Sequence, residues 1–121
     1  MKLLIVDDSE LLQDRLEILL SDIKNLNVIG KAKNSVEAKN LVKLQLPDII
    51  ITDIRMPGGS GIDLIESLNE NHQNLIKIVY TNYPYPQYEN KCSDIGVEYF
   101  FHKGSDSEEL YSTVKKLCAD N

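Results

Sequence analysis

Short apolar runs alternate along the whole chain with segments in which apolar residues recur at helical spacing. The runs at 3–6, 28–29, 49–51, 76–80 and 99–101 predict five strands. Apolar stripes at 12–23, 38–45, 64–68, 88–95 and 110–117 predict five helices, one after each strand. The run at 49–51 does not alternate, which is typical of a central strand covered on both faces. The pattern therefore predicts βαβ units and a parallel sheet.

Polar residues at the borders of these segments predict where the helices begin and end. We expect Ser9 to cap the first helix, Asn34 with Glu37 the second, and Ser105 with Glu108 the fifth. Two prolines at 84 and 86 are expected to delay the fourth helix. A length of 121 residues fits one domain, 1–121, and is too short for two.

Composition narrows the class of protein. A hydrophobic content of 42% with 26% charged residues is ordinary for a globular domain. The net charge of −6 speaks against direct nucleic-acid binding, which needs clustered Lys and Arg. No apolar run approaches the roughly 20 residues of a membrane span, and the apolar start ends at Asp7-Asp8, so we expect no membrane partner and a cytoplasmic protein. Cys92 and Cys118 are too few for a disulfide framework and are expected to be buried free thiols.

Polar residues that carry chemistry follow four of the strands. These residues are Asp7 and Asp8 after strand one, Asp53 after strand three, Thr81 after strand four and Lys103 after strand five. Parallel sheets bind ligands outside the carboxyl ends of their strands, so we expect these side chains to converge on one crevice. Three carboxylates there would raise at least one pKa unless a cation compensates, and their oxygens favour Mg²⁺ over Zn²⁺. With Lys103 and Thr81 as donors to phosphoryl oxygens, the set predicts a phosphoryl-transfer site.

The same residues resemble the motifs of the response-regulator receiver domains of bacterial two-component signalling. The resemblance covers the whole chain and rests on Asp7-Asp8, Asp53, Met56-Pro57, Gly61, Thr81, and Phe100 three residues before Lys103. It implies an α/β, flavodoxin-like (βα)5 doubly wound sheet with strand order 2-1-3-4-5.

The resemblance also implies a role for each residue. Asp53 would be the phosphoacceptor, taking the group from the phosphohistidine of a sensor histidine kinase or phosphotransfer protein. Mg²⁺ would be bound by Asp7, Asp8, Asp53 and the backbone carbonyl of Arg55. Lys103 would pair with the phosphoryl group, and Thr81 with Phe100 would form the switch. Arg55 and Tyr83 would border the phosphoryl site and tune its hydrolysis.

The resemblance implies that phosphorylation changes the surface through which the domain binds its partner. The face formed by strands four and five with the helices after them would bind a downstream protein target, and dimerisation on phosphorylation stays open. The chain would not be an enzyme, apart from slow removal of its own phosphate. Met1 favours a natural start, yet a standalone regulator and a receiver cut from a longer chain both remain open.

Departures from the family pattern keep an alternative open. Gly104 stands where the family usually has proline after the Lys, and Asn82 replaces a small residue after the Thr. A degenerate receiver that binds partners without phosphorylation is therefore the second reading. A Mg²⁺-dependent phosphatase is a third, but no Asp-x-Asp follows strand one and no insertion offers a lid. Taken singly, each residue also has a structural explanation. His72 and His102 are expected to be surface or local hydrogen-bonding residues, and loop packing is favoured over a binding platform for the tyrosines at 83–88.

Overall fold

The fold is a five-stranded parallel sheet with helices on both faces, seen in a computed structural model that describes residues 1–119. The strands are β1 (Lys2–Val6), β2 (Asn27–Ala32), β3 (Ile49–Thr52), β4 (Ile76–Thr81) and β5 (Tyr99–His102). The helices are α1 (Glu10–Leu19), α2 (Ser35–Gln45), α3 (Gly61–Leu68), α4 (Pro86–Asp94) and α5 (Ser107–Ala119). The strand order is β2-β1-β3-β4-β5, so the predicted flavodoxin-like topology is confirmed.

The centre of the sheet explains the unbroken apolar run of β3. Ile50 lies opposite Leu4 of β1 and Lys77 of β4, and every residue of β3 is buried. Ile49 and Ile51 pack on one face with α1 and α5, whereas Ile50 packs on the other face with α2 and α3. A strand covered on both sides has no polar face, and it therefore lacks the alternation of a half-exposed strand.

Helix starts agree with the sequence in two cases and differ in a third. The Ser9 side chain accepts from Leu12 N–H, and the Asn34 side chain accepts from Glu37 N–H. The predicted cap at Ser105 is wrong, because α5 begins at Ser107. Asp106 accepts from the backbone N–H of His102 through its carboxylate, and its own N–H donates to the His102 carbonyl, which closes a turn over 102–106 before the helix begins.

Three further expectations can be compared with the described residues. Helix α4 begins at Pro86, five residues after β4 ends, as the two prolines predict. Cys92 and Cys118 are buried and free. Among residues 1–119, no helix is both long enough and apolar enough to cross a membrane.

Candidate functional site

A cleft of about 380 Å³ opens at the carboxyl ends of β1, β3 and β4. Its lining residues are Asp7, Asp8, Leu12, Asp53, Arg55, Met56, Pro57, Asn82, Tyr83 and Lys103. The sheet topology brings them together, because the ends of parallel strands lie at one edge. The predicted convergence therefore holds for the three carboxylates and Lys103, whereas Thr81 does not line the cleft.

The three aspartates form a compact group of oxygen donors. Asp7, Asp8 and Asp53 each offer a carboxylate oxygen, and these atoms lie within 4.8 Å of one another. Asp7 and Asp53 are each 6% exposed, whereas Asp8 is exposed. A set made only of oxygens, with one member open to solvent, fits a hard divalent cation such as Mg²⁺.

Backbone amides hold the two buried carboxylates in place. The Ser9 N–H donates to Asp7 Oδ1 at 2.9 Å, and the Ile54 N–H donates to Asp53 Oδ1 at 2.7 Å. The Ser9 amide lies just after β1, and the Ile54 amide lies just after β3. The second oxygen of each carboxylate is therefore the one turned toward other partners.

Lys103 bridges these two carboxylates. Its Nζ donates to Asp7 Oδ2 at 2.6 Å and to Asp53 Oδ2 at 2.9 Å, and all three side chains are only 8% exposed. Burial lowers the pKa of Lys103, but the bonds to both aspartates outweigh burial, so its pKa lies above the ordinary value. The ammonium charge is therefore retained inside the cleft.

The pKa of Asp7 lies above its ordinary value. Burial is the largest cause, and the hydrogen bonds from Lys103 and Ser9 offset only part of the rise. Repulsion from Asp53, the cause expected from the sequence, acts in the same direction but ranks last. A bound cation would favour the charged form of the carboxyl and so oppose this rise.

Gly104, in place of the family's proline, does not keep Lys103 out of the cleft. All peptide bonds of the described residues are trans, including the bond between Lys103 and Gly104. The Lys103 N–H donates to the Thr81 carbonyl at 2.9 Å, which fixes the start of the turn. Asn82 is exposed and lines the cleft, so it borders the approach to Asp53.

Thr81 and Phe100 lie near the cleft without lining it. Thr81 is fully buried, and its Oγ1 accepts from the Tyr83 N–H at 3.0 Å. Phe100 is half-buried and packs with Ile54, Val79 and neighbouring residues of the α3 and α4 side. The two predicted switch residues are therefore close to the site, and their switching role stays a prediction.

Gly61 lets the loop after β3 return close to Asp53. Its N–H donates to the Ile54 carbonyl at 2.7 Å, and a Cβ there would lie 1.9 Å from the Asp53 carbonyl oxygen. No side chain fits at that distance. The glycine is needed for close approach of two backbone segments.

Gln13 is a residue of the site region that sequence reasoning missed. It is 4% exposed, and its Nε2 donates to the carbonyls of Asp7 at 2.7 Å and Ala32 at 3.0 Å. These bonds tie α1 to the ends of β1 and β2, beside the aspartates. The sequence feature that could have identified Gln13 is its position as a polar residue on the buried face of the predicted first helix.

Arg55 makes contacts that the sequence did not suggest. Its guanidinium carbon lies 3.9 Å from the centroid of the Tyr83 ring, and its Nη2 donates to the Tyr88 hydroxyl at 3.3 Å. Tyr85 stacks on Tyr88 with 5.6 Å between ring centroids. The tyrosines at 83–88 pack together as expected, but they also hold a cation at the rim of the cleft.

Comparison with known proteins identifies relatives over the whole chain. The sequence profile of the response regulator receiver domain matches residues 3–115. Transcriptional regulatory protein DesR of Bacillus subtilis is 31% identical over 113 residues, which cover 93% of this chain and 56% of DesR. This chain therefore spans about half the length of such relatives.

Solved structures of response regulators also resemble this chain. The receiver domain of RcsB from Salmonella enterica serovar Typhimurium, solved with the phosphomimetic BeF₃⁻, has a TM-score of 0.86 and 26% identity, and the match covers 96% of this chain and 88% of that one. The RcsB–DNA complex has a TM-score of 0.91 and 26% identity, with coverage of 100% of this chain and 61% of that one.

These relatives correct one expectation. We expected from the acidic charge that the chain has no direct nucleic-acid partner, but DesR is a transcriptional regulatory protein and RcsB was solved bound to DNA. The net charge of −6 describes residues 1–121 alone, whereas the matched relatives are nearly twice as long. The charge of one segment does not decide whether the whole protein binds DNA.

Proposed function

Because the chain belongs to the response regulator receiver domain family, we propose that it accepts a phosphoryl group on Asp53 from the phosphohistidine of a sensor histidine kinase or phosphotransfer protein. The observation that carries the proposal is the arrangement of Asp53 in the cleft. One of its oxygens is fixed by the Ile54 N–H and the other is paired with Lys103, in a group of three carboxylates.

The proposed transfer is a displacement at phosphorus. A carboxylate oxygen of Asp53 forms a bond to phosphorus while the P–N bond of the phosphohistidine breaks. The electron pair of that bond stays on the imidazole nitrogen, which takes up a proton. The product is an acyl phosphate on Asp53 and a neutral histidine on the donor.

Mg²⁺ is the proposed cofactor, held by the carboxylates of Asp7, Asp8 and Asp53 and by the carbonyl of Arg55. When bound, it supplies positive charge that offsets the phosphoryl oxygens. The exposed carboxylate of Asp8 is the ligand most open to an ion arriving from solvent. Before an ion binds, the Ser9 N–H keeps the Asp7 carboxylate oriented and the Ile54 N–H keeps the Asp53 carboxylate oriented.

Lys103 is proposed to exchange partners during the reaction. It pairs with Asp7 and Asp53 before transfer, and after transfer its ammonium pairs with a phosphoryl oxygen. Thr81 would turn its buried hydroxyl from the Tyr83 N–H toward the phosphoryl group, and Phe100 would change rotamer in response. The face of β4, α4, β5 and α5 would then bind the downstream target.

The output is proposed to reach DNA through an effector domain, either joined to this segment or contacted by it. The support is the DNA complex of RcsB and the name of DesR. The same proposal assigns residues 1–121 to one receiver domain, places it in the cytoplasm, and gives it no enzymatic activity beyond slow loss of its own phosphate.

Intact-protein mass spectrometry tests the proposal. The protein is incubated with Mg²⁺ and acetyl phosphate, alongside Asp53→Asn and the matched control Asp63→Asn, which removes an exposed carboxylate on α3. We expect one added phosphoryl group on the wild type and on the control, and none on Asp53→Asn. Phosphate on Asp53→Asn would place the acceptor elsewhere, and no phosphate on any of the three would favour the degenerate, phosphorylation-independent receiver.

A further inference from the structure

Arg55 lies at the rim of the cleft, held away from the carboxylates by three tyrosines. We call Tyr83, Tyr85 and Tyr88 the tyrosine cage. The guanidinium carbon is 3.9 Å from the ring centroid of Tyr83 and 5.9 Å from those of Tyr85 and Tyr88. The hydroxyl of Tyr88 accepts a hydrogen bond from Nη2 at 3.3 Å.

The charge of Arg55 is not balanced by an acid. Among residues 1–119, no carboxylate oxygen lies within 4.0 Å of its guanidinium, although three aspartates line the same cleft. Lys103 already pairs with Asp7 and Asp53. Within residues 1–119, the cation–π and hydrogen-bond partners of Arg55 are three aromatic rings and one neutral hydroxyl, so its charge is available for an anion that arrives.

Phosphorylation of Asp53 would bring such an anion. A phosphoryl group adds roughly two negative charges and three acceptor oxygens. A guanidinium binds phosphate oxygens with two parallel charge-assisted bonds, which are about twice as strong as neutral ones. Each cation–π contact at an exposed site changes a binding constant by only about two- to fivefold, and the contacts with Tyr85 and Tyr88, at 5.9 Å, lie close to the limit of about 6 Å at which the interaction counts. Arg55 therefore gains by exchanging the cage for the phosphoryl group.

We propose that Arg55 is a phosphoryl-binding residue that the tyrosine cage holds in reserve, and that Tyr88 is the positioning residue that controls its release. The inference rests on the proposed phosphorylation of Asp53. It predicts that the bond from Arg55 to Tyr88 opposes phosphoryl binding, since the bond has to break before the guanidinium reaches the oxygens.

The cage also joins the cleft to the start of α4. Tyr85 is the residue before the first turn, Pro86 is at the first helical position, and Tyr88 lies within that turn. The N–H groups of Tyr88 and Glu89 both donate to the Tyr85 carbonyl at 3.0 Å. Release of Arg55 thus frees the hydroxyl of a residue in the first turn of α4, which belongs to the proposed output face.

Binding of beryllofluoride, which mimics the phosphoryl group, tests the inference. Its affinity is measured by ¹⁹F NMR titration in the presence of Mg²⁺ on the wild type, Tyr88→Phe, Arg55→Met and the double variant. Tyr111→Phe is the matched control, because it removes a hydroxyl that donates to Asp22 at 2.9 Å and lies outside the cage.

Tyr88→Phe keeps the ring and removes only the acceptor, so we expect beryllofluoride to bind about two- to tenfold more tightly. Arg55→Met is expected to weaken binding by about tenfold, because charge-assisted bonds to the mimic are lost. In the Arg55→Met background, Tyr88→Phe should have no further effect. That last comparison tests whether Tyr88 acts by positioning Arg55. If Tyr88 had a general structural role, the effect of Tyr88→Phe on affinity would persist in the Arg55→Met background.

Unchanged affinity in Tyr88→Phe, or the same gain with and without Arg55, would overturn the inference while leaving phosphorylation of Asp53 intact. A gain in Tyr111→Phe equal to that in Tyr88→Phe would also overturn it. A wild type that binds no beryllofluoride and takes no phosphate from acetyl phosphate would overturn the proposed function and this inference together.

Discussion

Gly61→Ala is expected to damage both stability and phosphorylation. The added Cβ would lie 1.9 Å from the Asp53 carbonyl oxygen and 2.9 Å from its carbonyl carbon. Both atoms are backbone, so no rotamer change relieves the clash, and the loop has to move by about 1 Å to reach a normal contact. Overpacking of this kind costs about 1–3 kcal/mol, and we expect the upper part of that range. A shift of about 1 Å at the reacting carboxylate is enough to slow transfer roughly 100-fold.

Gly58→Ala provides the control in the same loop. Its φ is +80°, and nothing lies within 4 Å of the added Cβ, so it introduces backbone strain of about 1–2 kcal/mol without a clash. Urea unfolding followed by far-UV circular dichroism measures stability, and intact-mass time courses with acetyl phosphate measure transfer. We expect both variants to lose stability and only Gly61→Ala to lose the transfer rate. A Gly61→Ala protein with wild-type stability and rate would refute the close approach of the two segments.

Four further outcomes follow from the buried groups. Lys103→Ala should cost about 1–3 kcal/mol in urea unfolding without Mg²⁺, because two buried carboxylates lose their cation. Lys31→Ala should cost clearly less, because its ion pairs with Asp14 and Glu17 are exposed to solvent; equal costs would count against the bridge. With Mg²⁺ and acetyl phosphate, Lys103→Ala should still take phosphate but fail to bind its target in a pull-down that the phosphorylated wild type passes. Gln13→Met should cost about 1–3 kcal/mol by the same unfolding assay, since a buried carbonyl loses a donor; no loss would argue against that role. Cys92 and Cys118 should react with a thiol reagent only on unfolding, because both are buried and burial raises the pKa of Cys92 to about 11; rapid labelling of the native protein would contradict this.

The parts of the site that lie at strand ends were predictable from sequence. Asp7, Asp53 and Lys103 directly follow strands β1, β3 and β5, which the apolar runs predict, and a parallel sheet brings the ends of such strands to one edge. The inference that these three side chains lie together needs only the strand topology and no interatomic distance. Periodicity identifies the strands, and topology then places the side chains that follow them.

Features decided by side-chain competition in loops were not predictable. Ser105 looks like a helix cap, but the Asp106 carboxylate accepts from the His102 N–H and the helix begins later. Arg55 was expected to border the phosphoryl site together with Tyr83, but nothing in the sequence pattern indicated that its guanidinium donates to the Tyr88 hydroxyl. In both cases several polar groups compete for partners, and periodicity carries no information about which pairing wins.

Tyr83 connects Thr81, one residue of the proposed switch, to Arg55, the proposed phosphoryl-binding residue. Its N–H donates to the buried Thr81 hydroxyl at 3.0 Å, while its ring faces the guanidinium of Arg55. A Thr81 hydroxyl that turns toward the phosphoryl group gives up its bond to Tyr83 and so loosens the ring on which Arg55 rests. A phosphoryl group shifts the equilibrium only by the difference in its contacts between the two states, and Thr81 and Arg55 would each supply part of that difference. Because both act on Tyr83, their effects should be coupled instead of additive.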